Sequence, residues 1–365
     1  MEVYRRVWDF LDYNPVLKYA AVGTVSIVSV VALRRWLGGG VCSSQVRLQG
    51  KTVLITGANT GIGKETAREL AQRGARVVMG CRDVSRAEQA ALEIRVSTGN
   101  QEVVVRQLDL SSLSSVRNFT TEFLATETHL HILVNNAGLC RLLSVIWSAP
   151  PPPSLPSSLG VMMCATPSLG VMMCPRMVTE DGFELQLAVN HLGHFLLTNQ
   201  LLDLLQSSAP SRVITVSSIA HKGGKIHFKD LHFEQTTYDP LLSYQQSKLA
   251  NILFTRELAR RTKGTGVSCF CLHPGVVRTE LGRYVETRWP LASTLLSLPA
   301  WLLMKSPWQG AQTTLHCCLS PGLEACSGGY FSDCRVKTTS AEARDGLTAL
   351  RLWDVSARLV DHHGK

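Results

Sequence analysis

The sequence predicts an α/β fold built on a doubly wound parallel sheet with helices on both faces. Three observations carry this. Short, mostly apolar runs recur at Val53–Thr56, Ala75–Gly80, Val103–Leu108, Ile132–Val134 and Arg212–Val216, each of strand length and near-continuously apolar as strands covered on both faces are. The first two runs bracket a Gly-rich turn and a segment with helical periodicity. Polar residues gather where several runs end, and ligands of open α/β sheets sit at the carboxyl ends of strands.

The first unit reads KTVLITGANTGIGKETARELAQRGARVVMGCRD. Ile62, Thr66/Ala67 and Leu70/Ala71 recur at helical spacing and Gly74 ends that helix, so the unit is strand, turn, helix, strand. Its turn, Thr56-Gly57-Ala58-Asn59-Thr60-Gly61-Ile62-Gly63, suits close backbone approach to a pyrophosphate. The helix behind it offers free N–H groups and a positive dipole end. With the strands that follow, this is a single Rossmann-type fold. An acid at the end of the second strand would mark NAD by binding the ribose 2′-hydroxyl. Here Cys81 and then Arg82 stand there, and a cation suits a 2′-phosphate, so NADP(H) is the expected cofactor. Lys64 is expected to add positive charge, and Asp83 lies one step too far along. The third strand ends at Asp109, where a carboxylate meets the adenine region, and the fourth ends at Asn135-Asn136-Ala137-Gly138.

The strand at Arg212–Val216 ends in Ser217-Ser218. Downstream, Leu249, Ile252, Leu253 and Leu258 fall at helical spacing in SYQQSKLANILFTRELARR. Tyr244 and Lys248 are four apart and share one face of that helix. An ammonium beside a phenol favours the phenolate and lowers the phenol's pKa, which suits proton exchange with a carbonyl or alcohol. A Ser hydroxyl at the neighbouring strand end orients the carbonyl. Of the seven tyrosines only Tyr244 has Lys at i+4.

Together, TGANTGIG, NNAG, Ser217-Ser218, YQQSK and Pro274-Gly275 resemble the short-chain dehydrogenase/reductase family in order and approximate spacing, over about residues 46–335. The stretches GVCSSQVRLQGKTVLITGANTGIGKETARELAQRGARV, DGFELQLAVNHLGHFLLT and LHPGVVRTELGR are similar to its membrane-anchored, NADP(H)-preferring retinol dehydrogenases. The resemblance implies Tyr244 as general acid/base, Lys248 lowering its pKa and holding the nicotinamide ribose, and Ser218 bonding the substrate carbonyl. It implies Asn190 supporting a water-mediated proton relay. Cofactor contacts are expected at Gly57, Asn59, Thr60, Gly61, Ile62 and Gly63, at Arg82, Asp109 and Asn136, and at Pro274 and Gly275. His191, His194 and His221 are expected to be structural, because the Tyr/Lys pair already supplies the proton. The segment HKGGKIHFKDLHFEQTTYDP between Ser218 and Tyr244 is expected to be loop.

Length and composition bound the rest. The chain has 365 residues, 45% hydrophobic and 18% charged, which makes it globular with a substantial core. A net charge of +9 suits a polyphosphate ligand or anionic lipid. No run of five Lys/Arg and no nucleic-acid motif occurs, so nucleic acid is not an expected partner. The 11 cysteines are odd in number and form no C-x-x-C; they are expected as free thiols in a reducing compartment, with no metal site. Tyr19–Leu33 is free of charge and is followed by Arg34-Arg35-Trp36. It is expected to be a membrane-anchor helix, with the positively charged side and the catalytic domain facing the cytosol. The expected home is the endoplasmic reticulum membrane, with a mitochondrial membrane as the alternative. Trp289–Met304 is apolar and broken by two prolines, either a buried helix or a hydrophobic flap over an apolar substrate. Expected partners are a lipophilic, retinoid-like substrate and membrane lipid, with a homodimer left open. The expected divisions are 1–45 for anchor and linker, 46–335 for the catalytic domain, and 336–365 for a helical tail.

One stretch does not fit the pattern. SLGVMMC occurs at Ser158–Cys164 and again at Ser168–Cys174, after a Pro/Ser-rich tract. Joining Gly138 to Val171 gives NNAGVMMCPRMVTEDGFE, which resembles an uninterrupted family sequence. Residues 139–170 are therefore expected to be a disordered insertion carrying a duplicated junction, rather than a lid or a repeat unit.

Overall fold

A computed structural model describes residues 38–138, 176–277 and 304–362, with eight further positions between 16 and 34. Eight strands form one sheet: β1 (Thr52–Thr56), β2 (Arg76–Cys81), β3 (Val103–Gln107), β4 (Ile132–Asn135), β5 (Ser211–Val216), β6 (Val267–His273), β7 (Tyr330–Ser332) and β8 (Arg335–Val336). Their order is β3-β2-β1-β4-β5-β6-β7-β8. The pairs from β3 through β7 are parallel, with registers such as Ile55↔Met79 and Ile55↔Val134.

Helices cover both faces because both faces of each strand are apolar. Successive residues point to opposite sides, so Val53, Ile55, Val77, Met79, Ile214 and Phe270 enter one core. Leu54, Val78, Leu133, Val213 and Cys271 enter the other. The first core is closed by α1 (Gly61–Gln72), α2 (Val84–Thr98) and α7 (Pro307–Leu319). The second is closed by α3 (Leu113–Thr126), α4 (Gly193–Gln200), α5 (Leu202–Ser207), α6 (Pro240–Arg261) and α8 (Gly346–His362). Asp83, Ser112, Asp239 and Ser306 cap α2, α3, α6 and α7 through their side chains, and Pro240 and Pro307 open the last two where a missing N–H costs nothing.

The expected parallel sheet is corrected at one edge, where β8 pairs antiparallel with β7. The cause is the two-residue connection Asp333-Cys334, with φ of 53° and 56°. So short a loop joins only antiparallel strands, and positive φ at both positions matches their twist. Neither of these two strands has a sequence signal, being three and two residues long. Of the expected loop 221–240, His221–Gly223 belong to a short 3₁₀ turn and Pro240 opens α6; residues 224–239 are loop, braced by the Asp230 carboxylate, which accepts backbone N–H bonds from Glu234, Gln235 and Thr236.

Of Tyr19–Leu33, the described residues Tyr19, Ala20, Thr24, Val28, Ser29 and Ala32 are helical and exposed. Among the described residues no helix is long and apolar enough to cross a membrane. The rest of that stretch, residues 139–170 and residues 289–303 lie outside the described residues.

The C-terminal helix is part of the core. Leu352 and Val360 are buried, and the Trp353 ring stacks on Phe254 at 5.7 Å and meets Phe195 edge-on at 4.9 Å. The Arg261 guanidinium covers the same ring at 4.4 Å, a cation–π contact. Trp353→Ala is expected to lower the unfolding free energy by about 2 kcal/mol, less than the ~3–5 kcal/mol of a fully enclosed ring. Urea denaturation of the purified variant measures it, and an unchanged midpoint would contradict the packing argument.

Candidate active site

The strand order reverses at β1, which has β2 on one side and β4 on the other. The chain after β1 and the chain after β4 therefore meet. Gly57 has φ 65° and its N–H bonds the Gly80 carbonyl at 2.8 Å. A side-chain carbon on Gly57 would lie 3.0 Å from Ala137 Cα. One on Gly63 would run into the Gly57 carbonyl oxygen and lie 2.6 Å from Asn136 Nδ2. Both positions need glycine because backbones approach there. Asn136 Nδ2 donates to the carbonyls of Thr56 (2.9 Å) and Gly57 (3.3 Å), stapling the two strand ends together. Thr60 precedes α1 in extended conformation and makes no side-chain cap, so the first turn at Gly61, Ile62 and Gly63 keeps its N–H groups for an anion. Cys81 lies against the backbone N–H groups of Ala58, Asn59 and Gly57, and burial pushes its thiol up to about 11. It braces the turn as a neutral thiol.

Arg82 leaves the end of β2 with its side chain 43% exposed, and its Nη1 lies 4.0 Å from Asp109 Oδ2. Asp109 accepts from Ser111 N–H (2.9 Å) and Ser111 Oγ (2.6 Å), which fixes its carboxylate at the end of β3. Asp83 accepts from Arg86 N–H at 3.0 Å as the cap of α2. Lys64, expected to add charge for the cofactor, instead meets Glu93 at 2.6 Å and holds that carboxyl below its ordinary range.

Tyr244 and Lys248 are on one face of α6 and are 5% and 4% exposed, with Lys248 Nζ 5.7 Å from the centre of the Tyr244 ring. Lys248 Nζ also donates to the Val216 carbonyl at 3.3 Å. Ser217 Oγ donates to the Lys248 carbonyl at 2.7 Å, so the end of β5 and the middle of α6 are bound twice. Ser218 Oγ accepts from Ala220 N–H at 3.2 Å and caps a short 3₁₀ turn, Ile219–Gly223. Asn190 sits in a π-helical turn, Ala188–Leu192. Its Nδ2 donates to Ser247 Oγ at 2.9 Å. A side-chain carbon at Gly138 would lie 3.1 Å from Lys248 Nζ and 3.5 Å from Asn190 Oδ1, so these two groups and the end of the NNAG turn converge. Pro274 and Gly275 follow β6, and Gly275 has φ 96° with Lys305 Cδ 2.7 Å from where a side-chain carbon would stand. Every residue expected at the site thus lies at or beside the carboxyl-end edge of the sheet.

The histidines divide cleanly. Thr56 Oγ1 accepts N–H bonds from Asn136 (3.0 Å) and Ala137 (2.9 Å), which uses both lone pairs. Its hydrogen goes to His194 Nε2 at 2.8 Å. The ring proton is therefore on Nδ1, and it donates to the Asn190 carbonyl at 3.2 Å. Burial pushes His194 down to about 3, so the ring is neutral. His191 bonds Ser356 Oγ at 2.8 Å and is also pushed down by burial to about 3. His221 bonds the Ser218 carbonyl at 2.7 Å and packs edge-on against Tyr330 at 5.0 Å.

Sequence reasoning missed two supports. Thr56 and His194 form the bridge just described, and nothing in their spacing, 138 positions apart, signals it. Glu184 accepts from Gln186 N–H (3.0 Å), Leu187 N–H (2.8 Å) and Tyr238 OH (3.0 Å). Gln186 Nε2 then donates to the Pro240 carbonyl at 3.0 Å. This ties the segment leading to Asn190 to the first turn of the Tyr244 helix.

A nucleotide turn at a switch point, with a buried Tyr/Lys pair at the neighbouring strand end, defines a dinucleotide-dependent oxidoreductase. The family model for short chain dehydrogenases matches residues 51–150 and 162–288. Human retinol dehydrogenase 11 is 51% identical over 331 residues, covering 90% of this chain and 91% of that protein. Human retinol dehydrogenase 12 is 52% identical over 333 residues, covering 90% and 92%. A solved structure of an uncharacterised Mycobacterium paratuberculosis protein superposes with a TM-score of 0.62 at 33% identity, covering 88% of this chain and 98% of that one. The chain belongs to the short-chain dehydrogenase/reductase family.

The two neutral histidines give a pH dependence with a definite sign. Both have folded pKa values near 3 against an ordinary 6.5, so from pH 6.5 down to about 3 the unfolded chain binds protons that the folded chain refuses. Their effect on stability is absent above pH 6.5 and grows as a loss while the pH falls through that window. H191Q/H194Q is expected to be less stable at neutral pH but to lose less stability between pH 6.5 and 4. Urea midpoints across that range measure the slope, and parallel slopes for both proteins would refute the assignment.

Proposed function

We propose that the chain is an NADP(H)-dependent oxidoreductase that interconverts retinol-like lipophilic alcohols and aldehydes, running toward retinal reduction in an NADPH-rich cytosol. The observation that carries the proposal is the joint burial of Tyr244 and Lys248 beside the ends of β4 and β5. Identity near one half to two retinol dehydrogenases supports the substrate class.

The residues present fit the cofactor. The cradle at Gly57 and Gly63 is one that a side-chain carbon would fill, and the first turn of α1 has no side-chain cap. Gly57, Asn59, Thr60, Gly61, Ile62 and Gly63 would hold the pyrophosphate side and Arg82 the 2′-phosphate. Asp109 would meet the adenine side, and Asn136, Pro274 and Gly275 the nicotinamide side. The chemistry that NADPH supplies when bound is hydride donation to a carbonyl carbon. Tyr244 gives its phenolic proton to the carbonyl oxygen, and in the reverse direction takes it back. Lys248 stabilises the phenolate left behind and holds the ribose. Ser218 Oγ donates to the same carbonyl oxygen, and Asn190 supports the water that returns the proton to Tyr244.

Residues 1–45 are read as an anchor in the endoplasmic reticulum membrane with its linker, 46–335 as the catalytic domain facing the cytosol, and 336–365 as its helical tail. A mitochondrial membrane is the alternative location, and a broad lipid-carbonyl reductase is the alternative activity.

Purified full-length protein is expected to oxidise NADPH in the presence of all-trans retinal, and Tyr244→Phe to lose about 10²–10⁴-fold in kcat. Arg82→Asp is expected to cut the preference for NADPH over NADH by about tenfold or more, given ~1.5–3 kcal/mol for a charge-assisted bond. Full activity in Tyr244→Phe would refute the mechanism, and NADH outperforming NADPH in the unaltered protein would refute the cofactor assignment.

A second reading, an NADP(H)-binding protein that turns over poorly, is favoured by one observation. Gly138, the last described residue before 139–170, is beside Lys248 Nζ and Asn190 Oδ1, and the family match is broken between residues 150 and 162. Deleting Leu139–Gly170 is expected to preserve or raise kcat/KM and thermal stability. Loss of both would make the segment an integral part of the enzyme.

A further inference from the structure

We infer that the carboxyl-end edge of the sheet faces the bilayer, because residues 38–48 form a strap that brings the anchor out beside the active site. The inference rests on the reading of Tyr19–Leu33 as an anchor and adds which surface of the domain that anchor holds against lipid.

The strap is fixed along its length. Gly39 packs against Lys305 and Asp333, where a side-chain carbon would lie 2.5 Å from Lys305 Nζ. Gly40 packs against the Asp333 backbone and lies 3.1 Å from Cys334 Cβ by the same measure. Cys42 N–H then donates to Gln312 Oε1 at 3.1 Å. Ser44 Oγ donates to the Leu319 carbonyl at 2.9 Å, and Leu48 N–H to the Arg73 carbonyl at 2.8 Å. The strap therefore runs parallel to α7, from its start to its end. That helix has 13 residues, about 20 Å at 1.5 Å per residue. Its start lies at the carboxyl-end edge, since Lys305 pairs with Val277 just after β6 and Asp333 directly follows β7. The anchor thus leaves at the edge that carries Gly275, and about 20 Å from the opposite edge.

A second apolar stretch leaves from the same corner. The chain departs at Val277 and returns at Lys305, whose N–H bonds the Val276 carbonyl at 2.8 Å. The sequence between them includes Trp289–Met304, sixteen residues without a charge. Two apolar sequences thus join the domain within one small patch, at Gly39 and at Val277/Lys305. A lipophilic substrate would then reach Tyr244 without crossing water.

The rival surface is the opposite edge. A cleft of about 610 Å³ there is lined by Arg256, Arg260, Lys263 and Glu324, which would suit anionic headgroups. Part of its positive charge is balanced locally, since Arg260 bonds Glu257 at 2.7 Å. The strap also holds the anchor away from it.

Two exposed lysines report on the two edges: Lys222 in the turn after β5, and Lys263 in the turn before β6. The full chain is reconstituted in phosphatidylcholine–phosphatidylserine vesicles, recovered by flotation, and acylated either with a water-soluble amine reagent or with the same reactive group carried on a lipid headgroup. Mass spectrometry gives the ratio of lipid-borne to water-borne labelling at each site. The ratio at Lys222 is expected to exceed that at Lys263 several-fold. A higher ratio at Lys263, or equal ratios in protein that floats, would overturn the orientation while leaving the anchor standing. Failure to float would remove the anchor reading and this inference with it.

Discussion

The hydroxyl of Thr56 stands where the two halves of the sheet come together. It receives the backbone N–H groups of Asn136 and Ala137, which belong to the turn after β4, and passes its own hydrogen to His194. The nucleotide turn after β1, the NNAG turn and the helical segment bearing Asn190 are thereby connected through one oxygen atom. A buried hydroxyl with both lone pairs and its hydrogen engaged permits little displacement of any partner, since a broken bond would leave a polar group without water. The close contact of Gly57 with Ala137, and of Gly63 with Asn136, depends on this connection holding.

The side of the sheet that carries α6 has a matching arrangement. Lys248 is linked to the end of β5 through its ammonium and through its carbonyl, and Asn251 Nδ2 donates to the same Val216 carbonyl at 3.1 Å. Gln186 ties the start of this helix to the segment before Asn190. Tyr244 is therefore held on a helix packed against the sheet rather than on a loop, and the loop at 224–239 is left to shape the surroundings.

Much of this was legible in the sequence because it is carried by local pattern. The strands of the first half are apolar on both faces and announce themselves, and the glycines of TGANTGIG fall where a strand meets a helix. The Tyr244/Lys248 spacing needs only helical geometry to bring the pair to one face. What stayed hidden depends on contacts between distant residues. Lys64 looked available until Glu93 came alongside it from the next helix. Asp83 could not be recognised as a cap without knowing where α2 begins. The short strands β7 and β8 follow from the hairpin at Asp333-Cys334, whose positive φ values occur at residues that give no such signal.

The π-helical turn at Ala188–Leu192 has a consequence for how such a site arises. A π turn holds one more residue than an α turn, so everything beyond it is rotated by about 100° relative to an unbroken helix. Asn190 lies within that turn and His194 just after it. Their alignment is therefore written in residue number along the chain as much as in residue identity. Single-residue gain or loss, usually regarded as damage to a helix, is here the kind of event that can set a new side-chain direction without altering any strand.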